Sequence, residues 1–558
     1  MGLLLLVTLL LRIWGIKQGL PYSYNSDEAT HFVPRAIAFF STNLNPHYFL
    51  NPPAYSYLLN VVFELWFGSA DAAVRAYTVD PTAVFVVARV VAAVLGTVSV
   101  WLTYLAAKRI FDRTVALLGA AIFGLAFLPI FYSHLALNDV PTLAPVALSL
   151  YGVAGVYRLG RTRDYLIAGI GIGLAAATKY TGGITLVCLL AAAGCDGSAR
   201  GAGHAVRNLG LGLLTALGAF TLANPFWVLD YSAFSYGISD QASLAAGSEP
   251  VKLGTTPGGG IAYYLWTFSW GLGLGPAVAA VGGAALLLVR RRWALTAIFL
   301  PAPIAFIVFM GLQQRYFGRW LMPIFPLVSI LAAYGAVELV RWLHRGWRVP
   351  LVVGGTTCAL LLLTQSFVSV VHNDRVLSRP DTRTLTRDWM VAHVPAGAKV
   401  VIEPVVPSDW ANDVGRSLGW TATGQRWYQY PTWLTNIGAD GRPLPDGERR
   451  YVTLDQYERV LRPSLIAQYE ASAYCWVVIG SLQAGRAFAQ PQDAPGAIAY
   501  YRALARDGKL VYQVSPFAPG AHPVPFGFDW SIDYYPRQYR LPGPEMSVYH
   551  LTGGRCAA

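Results

Sequence analysis

Two adjacent carboxylates, Asp27 and Glu28, follow the first apolar run of the chain in the stretch "YNSDEATHF". Acids at such a place have two readings. They can fill the first turn of a surface helix capped by Asn25 or Ser26, where negative charge suits the helix dipole. Alternatively, one of them takes a proton from a substrate hydroxyl as general base. Adjacent helical residues point about 100° apart, so only one of the pair faces a given pocket. The expected base is Asp27, with Glu28 turned toward supporting groups. A third acid, Asp139 in "YSHLALNDVP", follows Asn138 before Val140 and Pro141, with His134 nearby, and is open to the same two readings.

Three cations stand at the same outer side. Arg315 and Arg319 share the short connection "QQRYFGRWLMP", and Lys179 ends an apolar run in "ATKYTGG". A long basic side chain can simply snorkel to an interface. Two arginines in one tight outer loop are harder to account for that way, because guanidinium forks bind phosphate bidentately. Carboxylates, guanidinium groups, an ammonium and aromatics beside lipid suit a substrate with a lipid tail and a phosphate. One carboxylate would deprotonate the acceptor, and the cations would hold charge growing on the departing phosphate. A single base without a covalent nucleophile implies one displacement with inversion at the anomeric carbon. The catalytic candidates are Asp27, Glu28 and Asp139, and the donor-phosphate candidates are Lys179, Arg315 and Arg319. His31, His134, Asn138 and Tyr55 are the substrate-positioning candidates. No His/Cys spacing of zinc type appears. The acids could hold a divalent cation, though no pattern demands one, and no other cofactor is implied.

These residues need a frame, and the composition names it. Of 558 residues, 54% are hydrophobic and 13% charged, too apolar for an ordinary soluble protein. Apolar runs of bilayer length recur up to about residue 370. About eleven spans are expected, roughly 1–17, 83–108, 114–132, 140–157, 164–178, 180–195, 207–223, 272–289, 294–311, 320–340 and 349–370. Basic residues fill every second loop: Lys108, Arg109 and Arg113; Arg158, Arg161 and Arg163; Arg290, Arg291 and Arg292; Arg341, Arg345 and Arg348. Most acids occupy the loops between. That alternation places the N-terminus and the basic loops inside, and it accounts for the net charge of +12 without nucleic acid. The first run lacks a preceding basic region and a cleavage site, so it reads as an uncleaved span. The expected class is a polytopic α-helical membrane protein of the cell membrane, with a C-terminal mixed α/β extracytoplasmic domain.

The membrane domain is expected over 1–371 and the soluble domain over 372–558. Two outer loops are long. Loop 18–81 holds "HFVPRAIAFF" and "PPAYSYLLNVVFELWFG", which read as interfacial segments. Loop 223–271 holds the Gly-rich "GTTPGGG" and reads as a mobile loop or lid. In the tail, "AKVVIEP", "AYCWVVIGS" and "KLVYQVS" read as strands. "RTLTRDWMVAHVP" and "GAIAYYRALARDG" read as helices. The tail carries no motif for chemistry of its own. Sequence leaves open whether Cys475 and Cys556 pair there.

"SDEATH", "HLALNDVP", "GLAAATKYTGG" and "RYFGRWLMPIFPLVSILAAYG", in that order, resemble the GT-C membrane glycosyltransferases. The branch most resembled is that of the protein O-mannosyltransferases and the aminoarabinose transferase that modifies lipid A. The resemblance also takes in "RTLTRDWMVAHVPAGAKVVIEP" and "RLPGPEMSVYHLT" in the tail. It implies Asp27 as catalytic base, Asp139 as a substrate-positioning acid, and Lys179, Arg315 and Arg319 as phosphate contacts. The implied donor is a sugar on a polyprenyl phosphate, and the acceptor a glycan, lipid or protein. "LNPPAYSY" carries Asn51 where aminoarabinose transferases tend to have a lysine, which argues against a lipid A acceptor. The alternative function is a transporter or flippase of lipid-linked or anionic substrates. It calls for paired repeats with broken helices in both halves, and no such repeat is seen.

Overall fold

A computed structural model of the chain describes residues 1–247, 253–254, 259–413, 424–435, 444–445, 448–452, 456–527 and 534–557. Each expected span overlaps helix. Among the described residues, seven helices are long and apolar enough to cross a membrane, and an eighth if the pair Arg113–Leu125 and Phe127–His134, bent by 56°, counts as one. Gly2–Ile13 and Leu143–Leu159 are apolar but shorter. The expected first span, 1–17, is therefore helical only over its first part and continues in turns.

Local chemistry sets these helices. Thr82–Ile110 ends on Lys108 and Arg109, whose charges suit its C-terminal dipole. Asp112 caps the next helix by accepting from the N–H groups of Thr114 and Val115 at 2.9 and 3.0 Å. Helices Leu143–Leu159, Thr162–Thr178 and Ala202–Ala223 cross through Gly152, Gly169, Gly171 and Gly173, where a Cβ would strike the neighbouring backbone. Small residues replace the hydrophobic effect as the packing device between helices in lipid.

The loops are more structured than the sequence implies. Loop 18–81 forms Val33–Ala38, Ala54–Phe67 and Ala70–Val79, with Phe32, Tyr55, Leu59 and Phe63 packed into the main core. Loop 223–271 is a correction. Tyr231–Ala246 is helix, and the next helix begins at Gly259, well before the expected 272. Of "GTTPGGG", residues 255–258 lie outside the described residues.

The last membrane helix, Leu351–Leu377, runs past the expected boundary at 371, and the tail opens with helix Thr382–His393. Its strands are β1 (Lys399–Ile402), β2 (Tyr428–Gln429), β3 (Leu434–Thr435), β4 (Arg450–Tyr451), β5 (Trp476–Gly480), β6 (Gly508–Val514) and β7 (Met546–Leu551). Strands β2, β1, β5, β7 and β6 build a mixed sheet in that order, and β3 pairs separately with β4 in antiparallel. Strand β1 pairs in parallel with β2 and β5, whereas β7 runs antiparallel between β5 and β6. Cys475 and Cys556 are joined, closing a sequence separation of 81 residues.

The tail core buries one carboxyl with consequences for stability. Glu403 accepts from the Tyr501 hydroxyl at 2.7 Å and the Gly480 N–H at 3.1 Å, and burial pushes its pKa up to about 8. An unfolded glutamate titrates near about 4.3. Between these values the folded state holds the proton that the unfolded state has lost. Stability of the tail is therefore expected to fall as pH rises from about 4 to about 8, and to level off above. Melting curves of the full chain and of Glu403→Gln across that range check this, because the amide removes the slope.

Candidate functional site

Four interruptions of helical backbone meet at one end of the bundle. The first is the widened π turn Glu28–Phe32, which opens helix Val33–Ala38. Asn25 accepts from the N–H groups of Asp27 and Glu28, both at 3.1 Å, so the helix-cap reading holds for this turn. The second is the extended stretch after Tyr132–His134, where Asn138 accepts from the Thr142 hydroxyl at 2.6 Å. The third is Lys179, extended between Thr162–Thr178 and the 3₁₀ turn Tyr180–Thr185. The fourth is the 3₁₀ turn Gly318–Ile324, which carries Arg319. In a membrane protein, irregular backbone is tolerated where it lines a cavity.

It does so here. A cavity of about 1250 Å³ is lined by Asp27, Asp139, Lys179, Arg315 and Arg319 together with His31, Asn51 and Asn138. Arg319 is the hub. Its Nη2 donates to Asp27 Oδ2 at 2.5 Å, and its Nε lies 3.9 Å from Asp139 Oδ2. The Lys179 ammonium donates to the other oxygen of Asp139. The Arg319 guanidinium also lies 5.0 Å from the Phe317 ring and 5.9 Å from Tyr132. Arg315 places its guanidinium 5.5 Å from the Phe317 ring as well. Its backbone N–H bonds to Ala245 at 3.4 Å, tying the loop to helix Tyr231–Ala246.

His31 Nε2 lies 3.9 Å from Asp27 Oδ1, and its ring stacks on Tyr48 with centroids 5.1 Å apart. Burial pulls the His31 pKa below its ordinary value, against the pull of Asp27, so the ring is neutral at pH 7. Asn138 donates to the Thr178 carbonyl at 2.8 Å, joining two of the breaks.

Three candidates do not line the cavity. Glu28 is fully buried and points the other way. It receives Arg89 Nε and Nη2, each at 2.7 Å, the Ser23 hydroxyl at 2.5 Å and the Ala136 N–H at 2.7 Å. Burial would raise its pKa, but the Arg89 charge and these hydrogen bonds bring it below the usual carboxylate value. With every lone pair occupied, Glu28 is a structural anchor and has no access to substrate. His134 is buried, its Nε2 2.8 Å from the Trp14 carbonyl. Tyr55 is buried and donates to the Ala88 carbonyl at 2.9 Å.

Sequence reasoning missed Arg89, although a lone arginine inside the run "FVVARVVAAV" is a signal that a partner must be near. It also missed the tail. Arg383, the stretch Pro404 to Asp409, Leu482, Arg486 and Tyr535 close the cavity from the soluble side. No local motif announces them. Among the described residues, no group of three or more His, Cys, Asp or Glu side chains could hold a metal ion.

Residues 81–228 match the family model described as dolichyl-phosphate-mannose-protein mannosyltransferase. No curated protein matches the chain. Among solved structures, ArnT from Cupriavidus metallidurans in the apo state is similar at 14% identity over 72% of this chain and 82% of that one, with TM-score 0.47. The same protein bound to undecaprenyl phosphate gives 16% identity, coverages of 70% and 72%, and TM-score 0.41. The oligosaccharyltransferase AglB from Archaeoglobus fulgidus, in complex with an inhibitory peptide and a dolichol-phosphate, gives 14%, 92% and 73%, and 0.48. The family match falls on the helices and breaks that hold Arg89, Asn138, Asp139 and Lys179, so this part of the chain is similar to that family.

Proposed function

We propose that the protein is an inverting glycosyltransferase that moves a sugar from a polyprenyl-phosphate-linked donor to a hydroxyl or phosphate acceptor at the outer face of the membrane. The observation that carries this reading is the sharing of Arg319 between Asp27 and Asp139, with Lys179 on the second acid. Two acids and two cations are thereby held in one cavity, and the donor lipid is the substrate class named in the family's description.

In the resting site the Asp27 carboxylate is engaged by Arg319. A donor phosphate would compete for the same guanidinium and release the Asp27 carboxylate. Asp27 then takes the proton of the acceptor hydroxyl as its oxygen bonds to the anomeric carbon. The bond from that carbon to phosphate oxygen breaks on the opposite face, and Arg319, Lys179 and Arg315 hold the departing charge. Asp27 is thus freed from Arg319 only when donor is present, which restrains loss of donor to water. The disulfide supports an oxidising, extracytoplasmic side for the tail and hence for the cavity it closes.

The test uses purified protein, a panel of polyprenyl-phosphate sugars and candidate acceptors, with release of polyprenyl phosphate as readout. Arg319→Ala is expected to raise the donor KM roughly 10- to 100-fold, the worth of one or two charged hydrogen bonds. An unchanged donor KM would remove Arg319 from the phosphate site. The same assay in EDTA is expected to keep its rate, because Arg319 already supplies the counter-charge between the two acids.

A further inference from the structure

The tail domain does more than roof the cavity. Tyr22 and Tyr24, which precede Asp27 in the first outer loop, pack against the tail core around Met390, Trp410 and Trp427. Arg383 lies 3.9 Å over the Tyr24 ring, and Arg387 lies 5.0 Å over the Tyr22 ring. The Tyr24 hydroxyl and the Thr384 hydroxyl are 2.9 Å apart. Both arginines are themselves fixed. Arg383 is bidentate on Asp381 at 2.8 and 2.7 Å, and Arg387 donates to the Trp410 and Asn412 carbonyls at 2.8 and 2.6 Å. Cations held this way meet the aromatic faces at little entropic cost.

Two residues, Asn25 and Ser26, separate Tyr24 from Asp27, and Asn25 caps the turn that carries Asp27. On the other side the same turn is held to the bundle by Glu28 and Arg89. The Asp27 segment is thus fixed at two points, one in each domain.

We infer that helix Thr382–His393 of the tail positions the Asp27 carboxylate, through Arg383 and Thr384 on Tyr24 and Arg387 on Tyr22. This rests on Asp27 being the base. Tyr22, Tyr24, Arg383, Thr384 and Arg387 are positioning residues and act through Asp27. The tail domain then contributes to turnover separately from donor binding, because Lys179, Arg315 and Arg319 come from other elements.

Tyr24→Leu in the full chain tests this, since it removes the ring and leaves the Arg383–Asp381 pair intact. The expected result is a kcat lower by about tenfold to a hundredfold, the size of effect an ångström of misplacement produces. The donor KM should stay within about twofold and the melting temperature close to that of the unaltered protein. Tyr24→Phe, which keeps the ring over the guanidinium, is expected to restore kcat to within about threefold. If Tyr24→Leu does not accumulate, Tyr22→Leu reads the same split of kcat from KM. An unchanged kcat in folded protein overturns the inference, as does a parallel loss of kcat, donor affinity and melting temperature. Asp27→Asn at the unaltered rate overturns the base assignment beneath it. Slow Asp27→Asn beside an unaffected Tyr24→Leu overturns the positioning alone.

Discussion

Asp27→Asn is expected to fold, insert and bind donor, yet to turn over roughly 100- to 10,000-fold more slowly, the usual worth of a general base. The side chain is a third exposed to the cavity, so the amide leaves packing undisturbed. Asparagine keeps an oxygen to accept from Arg319, so the guanidinium stays near its place and the donor KM should change little. What is lost is the capacity to take a proton. Single-turnover measurement of polyprenyl phosphate release separates the chemical step from donor binding. A variant with wild-type turnover would show that the acceptor loses its proton elsewhere, with Asp139 the next carboxylate to test. The Lys179 ammonium holds Asp139 and Arg319 lies beyond it, so Asp139→Asn should disturb donor binding as well as turnover.

The neighbouring substitution should fail for the opposite reason. Glu28→Ala is expected to destabilise the protein by about 3–5 kcal/mol, because it strands the fully buried Arg89 guanidinium without its counter-charge. It also leaves the Ala136 N–H without its acceptor. Accumulation in the membrane and thermal stability in detergent read this out. Replacing both partners together, as Glu28→Leu with Arg89→Met, should recover part of the loss, since no lone charge is then buried. If Glu28→Ala were as stable as the unaltered protein but inactive, Glu28 would belong to the chemistry after all. Two adjacent acids of the same motif thus predict two different phenotypes.

Much of this protein is legible in its sequence, for physical reasons. The bilayer forces apolar runs of a set length, and the charge alternation orders the loops, so most helices from Thr82–Ile110 onward are found near their expected places, the one that begins at Gly259 apart. Asp27, Asp139, Lys179, Arg315 and Arg319 could be picked out because each sits at a break in an otherwise apolar pattern. Polar groups at such breaks must have partners or a purpose. The tail helices Thr382–His393 and Pro495–Asp507 and strands β1, β5 and β6 follow from periodicity alone. Strand β7 does not follow from periodicity and is placed only by its pairing with β5 and β6.

The tertiary structure decided what periodicity cannot carry. Whether Glu28 faced the cavity or the bundle turned on Arg89, 61 residues away, whose fork takes both carboxylate oxygens. His134 and Tyr55 carry the right chemistry, but their ring atoms are spent on the Trp14 and Ala88 carbonyls. Only the folded chain brings Arg319 within reach of Asp27 across a separation of 292 residues. The tail sequence names no chemistry because its part in the site is to hold Tyr22 and Tyr24 and to close a cavity, and such contacts have no local pattern. Sequence by itself determined the frame and the residue types at its breaks, since solvent and lipid act on each segment separately. Which of those residues share a cavity was decided by long-range packing, since a partner for a buried charge can come from anywhere in the chain.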